Sequence, residues 1–161
     1  MFSLWGDAAM TTCEFYTAAP YIPFKVFLML EPGPDGAFAA EYMLILPSNL
    51  IVQVTTPSPV ISIVMDNPIG PPGVSVGFST CQTEIFVLYQ FLILPLATTP
   101  GYVQIVPNTD TDRLIVATCE EPLRPEKDCA VYNYFCFNTS SGAVEETSWG
   151  TIKSLYDSNN K

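Results

Sequence analysis

The stretch Ile85–Leu94 reads IFVLYQFLIL, ten residues with Gln90 as the single polar member, and Pro95 closes it. Such a run has to lie inside a folded chain, because removing its side chains from water is the largest favourable term open to it. Its β-branched and aromatic content favours a strand over a short helix, and its length falls well below the roughly 20 apolar residues of a membrane-spanning helix. Strand alternation places Ile85, Val87, Tyr89, Phe91 and Ile93 on one face and Phe86, Leu88, Gln90, Leu92 and Leu94 on the other. Both faces are then apolar, so the second must be covered by another element or by another copy of the chain.

The length of 161 residues suits one domain with a substantial core. Charged residues make up 14% of the chain, against a usual figure of about 25%, while hydrophobic residues reach 48%, so part of the surface is expected to be hidden in contacts. Six Lys and Arg against 16 Asp and Glu leave a net charge of -10, and residues 26–112 contain no Lys or Arg. That balance opposes binding to nucleic acid or anionic lipid, and it suits the solubility of an exported domain.

The cysteines point to the same compartment. Cys13, Cys81, Cys119, Cys129 and Cys136 form no Cys-x-x-Cys pattern, and the chain has no His, so the usual mixed zinc sites cannot be built. Disulfides are the expected use, with about fifteen possible two-bridge schemes that sequence does not separate. The scheme adopted as an expectation closes Cys119 to Cys129 around EEPLRPEKD and ties Cys13 to Cys81, leaving Cys136 between Phe135 and Phe137 as a packed thiol. The segment MFSLWGDAAMTTC is too polar for a signal peptide, so Met1 is expected to begin an expressed mature segment or a trimmed chain.

Along the chain, short apolar runs alternate with Pro/Gly stops. Phe2–Gly6, Phe24–Leu30, Phe38–Leu46, Ile51–Thr55, Val60–Met65, Val74–Ser79, Tyr102–Val106 and Leu114–Cys119 read as strands around the long apolar one, and PGPDG before Ala37 reads as a hairpin turn. Ala130–Asn138 is a further aromatic-rich strand. The segment TSWGTIKSLY repeats Trp149, Ile152, Leu155 and Tyr156 at helical spacing behind a Thr147 or Ser148 cap. The spacing predicts an all-β sandwich, immunoglobulin-like or cohesin-like, of eight or nine strands over residues 1–143, with a short C-terminal helix and tail over 144–161.

Two motifs carry a resemblance. SLWGDAAMTTC at residues 3–13 resembles the mature start of a group of exported bacterial proteins, and TSWGTIKSLY at 147–156 is similar to the group's Thr-Trp-Gly-x-Ile/Val-Lys-x-Leu-Tyr ending. The resemblance implies secretion and a β fold; it implies no activity and no catalytic residues.

Candidate chemistry is sparse. Without His, a Ser or Cys hydrolase with an imidazole base cannot be assembled. Glu120-Glu121 and Glu145-Glu146 are neighbours that point apart, unlike the facing acids of a glycosidase. Asn108, Asp110 and Asp112 alternate in NTDTD. With backbone carbonyls they offer oxygen ligands for calcium, Asp110 and Asp112 being the weak candidates, but an Asx-type turn accounts for the pattern better. Asn138-Thr139-Ser140 matches the glycosylation sequon. Trp5, Tyr16, Tyr21, Tyr89, Tyr102, Tyr132, Tyr134 and Trp149 could include a sugar-stacking platform, although core packing is the ordinary fate of such residues. No cofactor, nucleic acid or transmembrane segment is expected. The functional expectation is a non-catalytic extracellular or cell-surface module. It self-associates, even as a polymer, or docks on another surface component through Phe86, Leu88, Leu92, Trp149, Ile152, Leu155 and Tyr156. A secreted carbohydrate-binding module is the alternative.

Overall fold

The Pro and Gly stops fall at the strand ends in the computed structural model, which describes residues 1–11, 14–15, 20–120, 125–129, 131 and 135–137. Twelve strands occur among them: β1 (Phe2–Trp5), β2 (Glu14–Phe15), β3 (Phe24–Leu30), β4 (Ala37–Ile45), β5 (Leu50–Pro57), β6 (Ile61–Asp66), β7 (Val74–Gln82), β8 (Phe86–Pro95), β9 (Gly101–Val106), β10 (Ile115–Ala117), β11 (Glu126–Asp128) and β12 (Phe135–Phe137). The expectation of eight or nine was too low. Among the additional strands, β2 and β11 have two and three residues, too few to display a period. No helix occurs among the described residues. The expected C-terminal helix, with Trp149, Ile152, Leu155 and Tyr156, lies outside the described residues, as does Asn138.

Two sheets face each other. The smaller runs β1-β3-β8-β5, and the larger runs β11-β10-β4-β9-β12-β2, with β7 paired to the other side of β4 and β6 paired to β7. Strand β4 is the spine of the larger sheet. Its start pairs with β10 through Ala39–Glu41 and its end with β9 through Met43–Ile45, while β7 runs along its opposite side. Strand β8 occupies the interior of the smaller sheet between β3 and β5, as its composition requires.

Two sequence expectations need correction. The turn after β3 does not make a hairpin: β3 belongs to the smaller sheet and β4 to the larger, so residues 31–36 carry the chain across the sandwich. Pro32 and Pro34 donate no N–H, and this removes the ladder bonds a hairpin end needs. The strict alternation along β8 also fails. Its register with β3 slips between Leu28 and Met29, where Tyr89 pairs with Leu28 and Val87 with Met29, so Leu88 is the extra residue of a bulge. Beyond the bulge Tyr89, Phe91 and Ile93 are buried; Leu88 is buried as well, and Phe86 packs against the core. Gln90, Leu92 and Leu94 on the other face are only half-buried.

Aromatic contacts join the layers. Phe2 of β1 meets Tyr42 of β4 at 5.1 Å between ring centroids, Phe24 of β3 stacks on Phe135 of β12 at 5.9 Å, and Phe86 of β8 is edge-on to Phe78 of β7 at 5.3 Å. Each such pair contributes about 0.5–1.5 kcal/mol beyond the area it buries.

The disulfide joins Cys81 to Cys119, 38 positions apart in sequence, with Cα atoms 5.7 Å apart. Neither expected pairing, Cys119 with Cys129 or Cys13 with Cys81, forms, because Cys81 and Cys119 are bonded to each other; Cys13 lies outside the described residues. The register explains the choice. Gln82 is opposite Ala37 on one side of β4 and Ala117 is opposite Ala39 on the other, so Cys81 and Cys119 flank the start of β4 and their sulfurs meet beside Gly36. Cys129 instead donates its N–H to Leu114 O at the far end of the β10–β11 pair and is a free, half-buried thiol. Cys136 pairs its backbone with Tyr102 in β12.

Candidate functional site

A groove with an exposed apolar wall lies on the outer face of the larger sheet. It measures about 280 Å³ and crosses β6, β7, β4, β10 and β11. Its shape follows from side-chain size. Ser75 and Gly77 of β7, Ala39 of β4 and Ala117 of β10 are small and set the floor, while Ile63 and Met65 of β6 stand on one side and Glu126 of β11 on the other. Ile63 is 58% exposed and Met65 57%, so both present apolar surface to solvent. At Gly77 an added Cβ would lie 3.5 Å from Ile63 Cβ, an ordinary contact, so the isoleucine leans over the glycine and defines the wall.

Charge sits at the far wall. Glu126 Oε2 accepts from Arg113 at 2.5 Å, and Glu41 Oε1 accepts from the Thr111 hydroxyl at 2.5 Å. Both Arg113 and Glu126 are close to half-exposed, so the pair fixes side-chain direction more than it stabilises the fold. The groove therefore offers a polar rim on β4 and β11 and an apolar wall on β6.

A second cavity, about 290 Å³, lies under the turn at residues 31–36 and is lined by Thr118, Lys127 and Cys129 among others. Two of its charges pair with each other: Lys127 Nζ bonds Asp35 Oδ2, and that hydrogen bond holds the lysine above its ordinary pKa. The Thr118 hydroxyl beside it is buried with no partner among the described residues.

The expected site residues are placed as follows. Leu88 is fully buried and offers no association surface, while Phe86 is half-buried and packs inward on Phe78; the bulge turned both toward the core. Leu92 is half-buried on the outer side of the smaller sheet. Asp110 and Asp112 lie exposed in the β9–β10 loop, where Asn108 Oδ1 accepts from Asp110 N at 2.9 Å and Asn108 N donates to Arg113 O. That is the expected Asx turn, with Asn108 buried and the two aspartates exposed. Among the described residues no group of three Cys, Asp or Glu is placed to hold a metal. Of the aromatics, Tyr89 is buried, Trp5 is half-buried with its indole N–H on Ser3 Oγ at 2.9 Å, and Tyr21 and Tyr102 are exposed. Tyr16, Tyr132, Tyr134, Glu121, Glu145 and Glu146 lie outside the described residues. Sequence reading missed the groove because its floor is made of Ala, Ser and Gly, which carry no chemical signature.

No protein-family model matches the chain, and no curated protein matches it. Solved structures do resemble it. A type III cohesin module from the cellulosomal ScaE cell-surface anchoring scaffoldin of Ruminococcus flavefaciens superposes with a TM-score of 0.61 at 12% identity, covering 88% of this chain and 87% of that one. The seventh ScaB type I cohesin from Pseudobacteroides cellulosolvens gives 0.57 at 10% identity, covering 90% and 96%. A chain of the complex between CaDoc0917 and CaCohA2 gives 0.55 at 13% identity, covering 87% and 100%. The fold is a cohesin-like β-sandwich.

Proposed function

We propose that this chain is a non-catalytic extracellular docking module whose outer β6-β7-β4-β10 face receives a partner protein of the cell surface. The observation that carries the reading is the groove: a floor of small side chains, an exposed apolar wall of Ile63 and Met65, and a polar rim at Glu41 and Glu126. An exposed patch of this kind marks association, and a flat sheet face with a shallow groove suits a protein segment better than a small substrate. The likeness in fold to a module of a cell-surface anchoring scaffoldin supports the same reading. The Cys81–Cys119 disulfide supports an oxidising compartment.

The test is binding. Proteins exported by the producing organism are passed over the immobilised chain, a retained protein is purified, and its affinity is measured by calorimetry against the native chain and against Gly77→Arg and Ala39→Arg. Both substitutions fill the floor, and at Gly77 the added side chain meets only ordinary contacts at its base. The expected result is saturable binding that falls at least about tenfold in each variant, a loss of about 1.4 kcal/mol. Equal affinity in both variants, or retention of a polysaccharide and no protein, overturns the proposal.

A further inference from the structure

We infer that β6 is a homotypic pairing edge, along which a second copy of the chain adds its own β6 antiparallel and about a two-fold axis. The inference rests on the docking reading above and names one occupant, a second copy, for a strand edge that the groove leaves open.

Four observations carry it. First, among the described residues β6 pairs only with β7, so its outer edge presents unpaired backbone N–H and C=O groups. Second, this edge lacks the usual protection against pairing. From Tyr42 to Met65 the chain contains no Asp, Glu, Lys or Arg, so neither β5 nor the body of β6 carries a charge to repel an incoming strand. Third, the exposed apolar side chains cluster here. Ile63, Val64 and Met65 of β6 are each about half-exposed or more, and Ile51 and Val54 are exposed on β5, the corresponding edge of the other sheet, three residues back along the chain.

The fourth observation is self-complementarity. In an antiparallel two-fold pair centred on Val64, Ile63 of one copy faces Met65 of the other, and Val64 faces Val64. Asp66, the single charge of the strand, faces Ser62. No like charges are opposed, whereas parallel pairing in register would stack aspartate on aspartate. The axis is perpendicular to the sheet, so the two larger sheets merge into one and both grooves open on the same side. Pairing along β6 and docking in the groove are therefore compatible.

The contact is small. A six-residue strand spans about 20 Å, and two layers about 10 Å apart give no more than roughly 800 Å² of total buried area, well below that of stable dimers. The bulge between Ile61 and Ile63 shortens the regular run further. Pairing is thus weak and reversible, and it acts when copies are held at high local concentration. Each copy carries a net charge of -10, so long-range repulsion opposes it and added salt strengthens it.

Sedimentation equilibrium of the full chain tests this. The weight-average mass is expected to rise toward that of a dimer at about 1 mM protein, a concentration suited to so small a contact. The rise should grow between roughly 0.05 M and 0.5 M salt. Val64→Lys places two ammonium groups opposite each other across the axis, and Met65→Lys places one opposite Ile63 on each side. Each should weaken association at least tenfold although it lowers the overall repulsion between copies, with thermal unfolding reporting that the fold persists. Gly77→Arg, which disables the groove, should leave the mass curve unchanged, so that loss of docking and loss of pairing are read separately. A monomer at all concentrations and salts overturns the inference, as does a dimer that both lysine variants leave intact.

Discussion

Gly36 lies directly beneath the disulfide: a Cβ on Gly36 would stand 2.6 Å from Cys81 Sγ and 2.8 Å from Cys119 Sγ. The same residue has a φ of +70° and donates its N–H to Gly33 O at 3.0 Å, closing the turn that carries the chain from one sheet to the other. Asp35 beside it accepts from Cys119 N through its carbonyl and from Lys127 through its carboxylate. Crossover, disulfide and the β10–β11 pair thus meet at one residue without a side chain.

Gly36→Ala should destabilise the fold by at least about 1–2 kcal/mol from backbone conformation alone, with more from displacement of the sulfur atoms. Gly33→Ala in the same turn meets nothing within 4 Å and should cost less than about 1 kcal/mol. Urea unfolding of the two variants checks the difference.

Unreduced peptide mapping should recover Cys81 linked to Cys119, with Cys129 alkylated without reduction. Removing the bridge by Cys81→Ala with Cys119→Ala should lower stability by about 2–4 kcal/mol, the range for a closed loop of this size. A Cys119–Cys129 peptide in native material would contradict the structure.

Much of the sandwich was legible because its strands are bounded by residues with a mechanism. Pro23 precedes β3, Pro47 follows β4, Gly73 precedes β7, and Pro100 and Pro107 flank β9. Pairing was less legible. Two prolines in a tight loop suggest a turn but do not say whether the next strand returns to the same sheet, and the bulge at Leu88 leaves no mark in a uniformly apolar run. Cysteine pairing failed for the same reason: Cys129 is nearer to Cys119 in sequence, but register sets it at the other end of a strand pair. The groove was hidden because it depends on where small residues lie on adjacent strands.

Tyr42 and Tyr89 bury their hydroxyls with no hydrogen-bond partner among the described residues. Tyr42→Phe should therefore be neutral, or stabilising by up to about 1 kcal/mol, because it removes a desolvated group that makes no bond. Phe2→Ala, which strips the ring packed on Tyr42, should cost about 3–5 kcal/mol.

Burial holds the Tyr42 phenol well above the ordinary tyrosine pKa of 10.0, with the Tyr89 charge adding to the shift, and burial raises Tyr89 as well. The unfolded chain releases these protons at lower pH than the native one. Their contribution is fully present below pH 10.0, the unfolded value, and is lost as pH rises through the folded values. Stability measured from neutral pH upward should fall once the pH passes that value, and the fall should be shallower in Tyr42→Phe.

The groove account is tested most directly by mapping a bound partner on the chain itself. Backbone amide chemical shifts of the labelled chain, followed as the retained partner protein is added, should move at Ala39, Ile63, Met65, Ser75, Gly77 and Ala117, the floor and wall of the larger sheet. Shifts confined to β1, β3 and β8 of the opposite sheet, or to the loops holding Tyr21 and Asp110, with the groove amides unmoved, would contradict it.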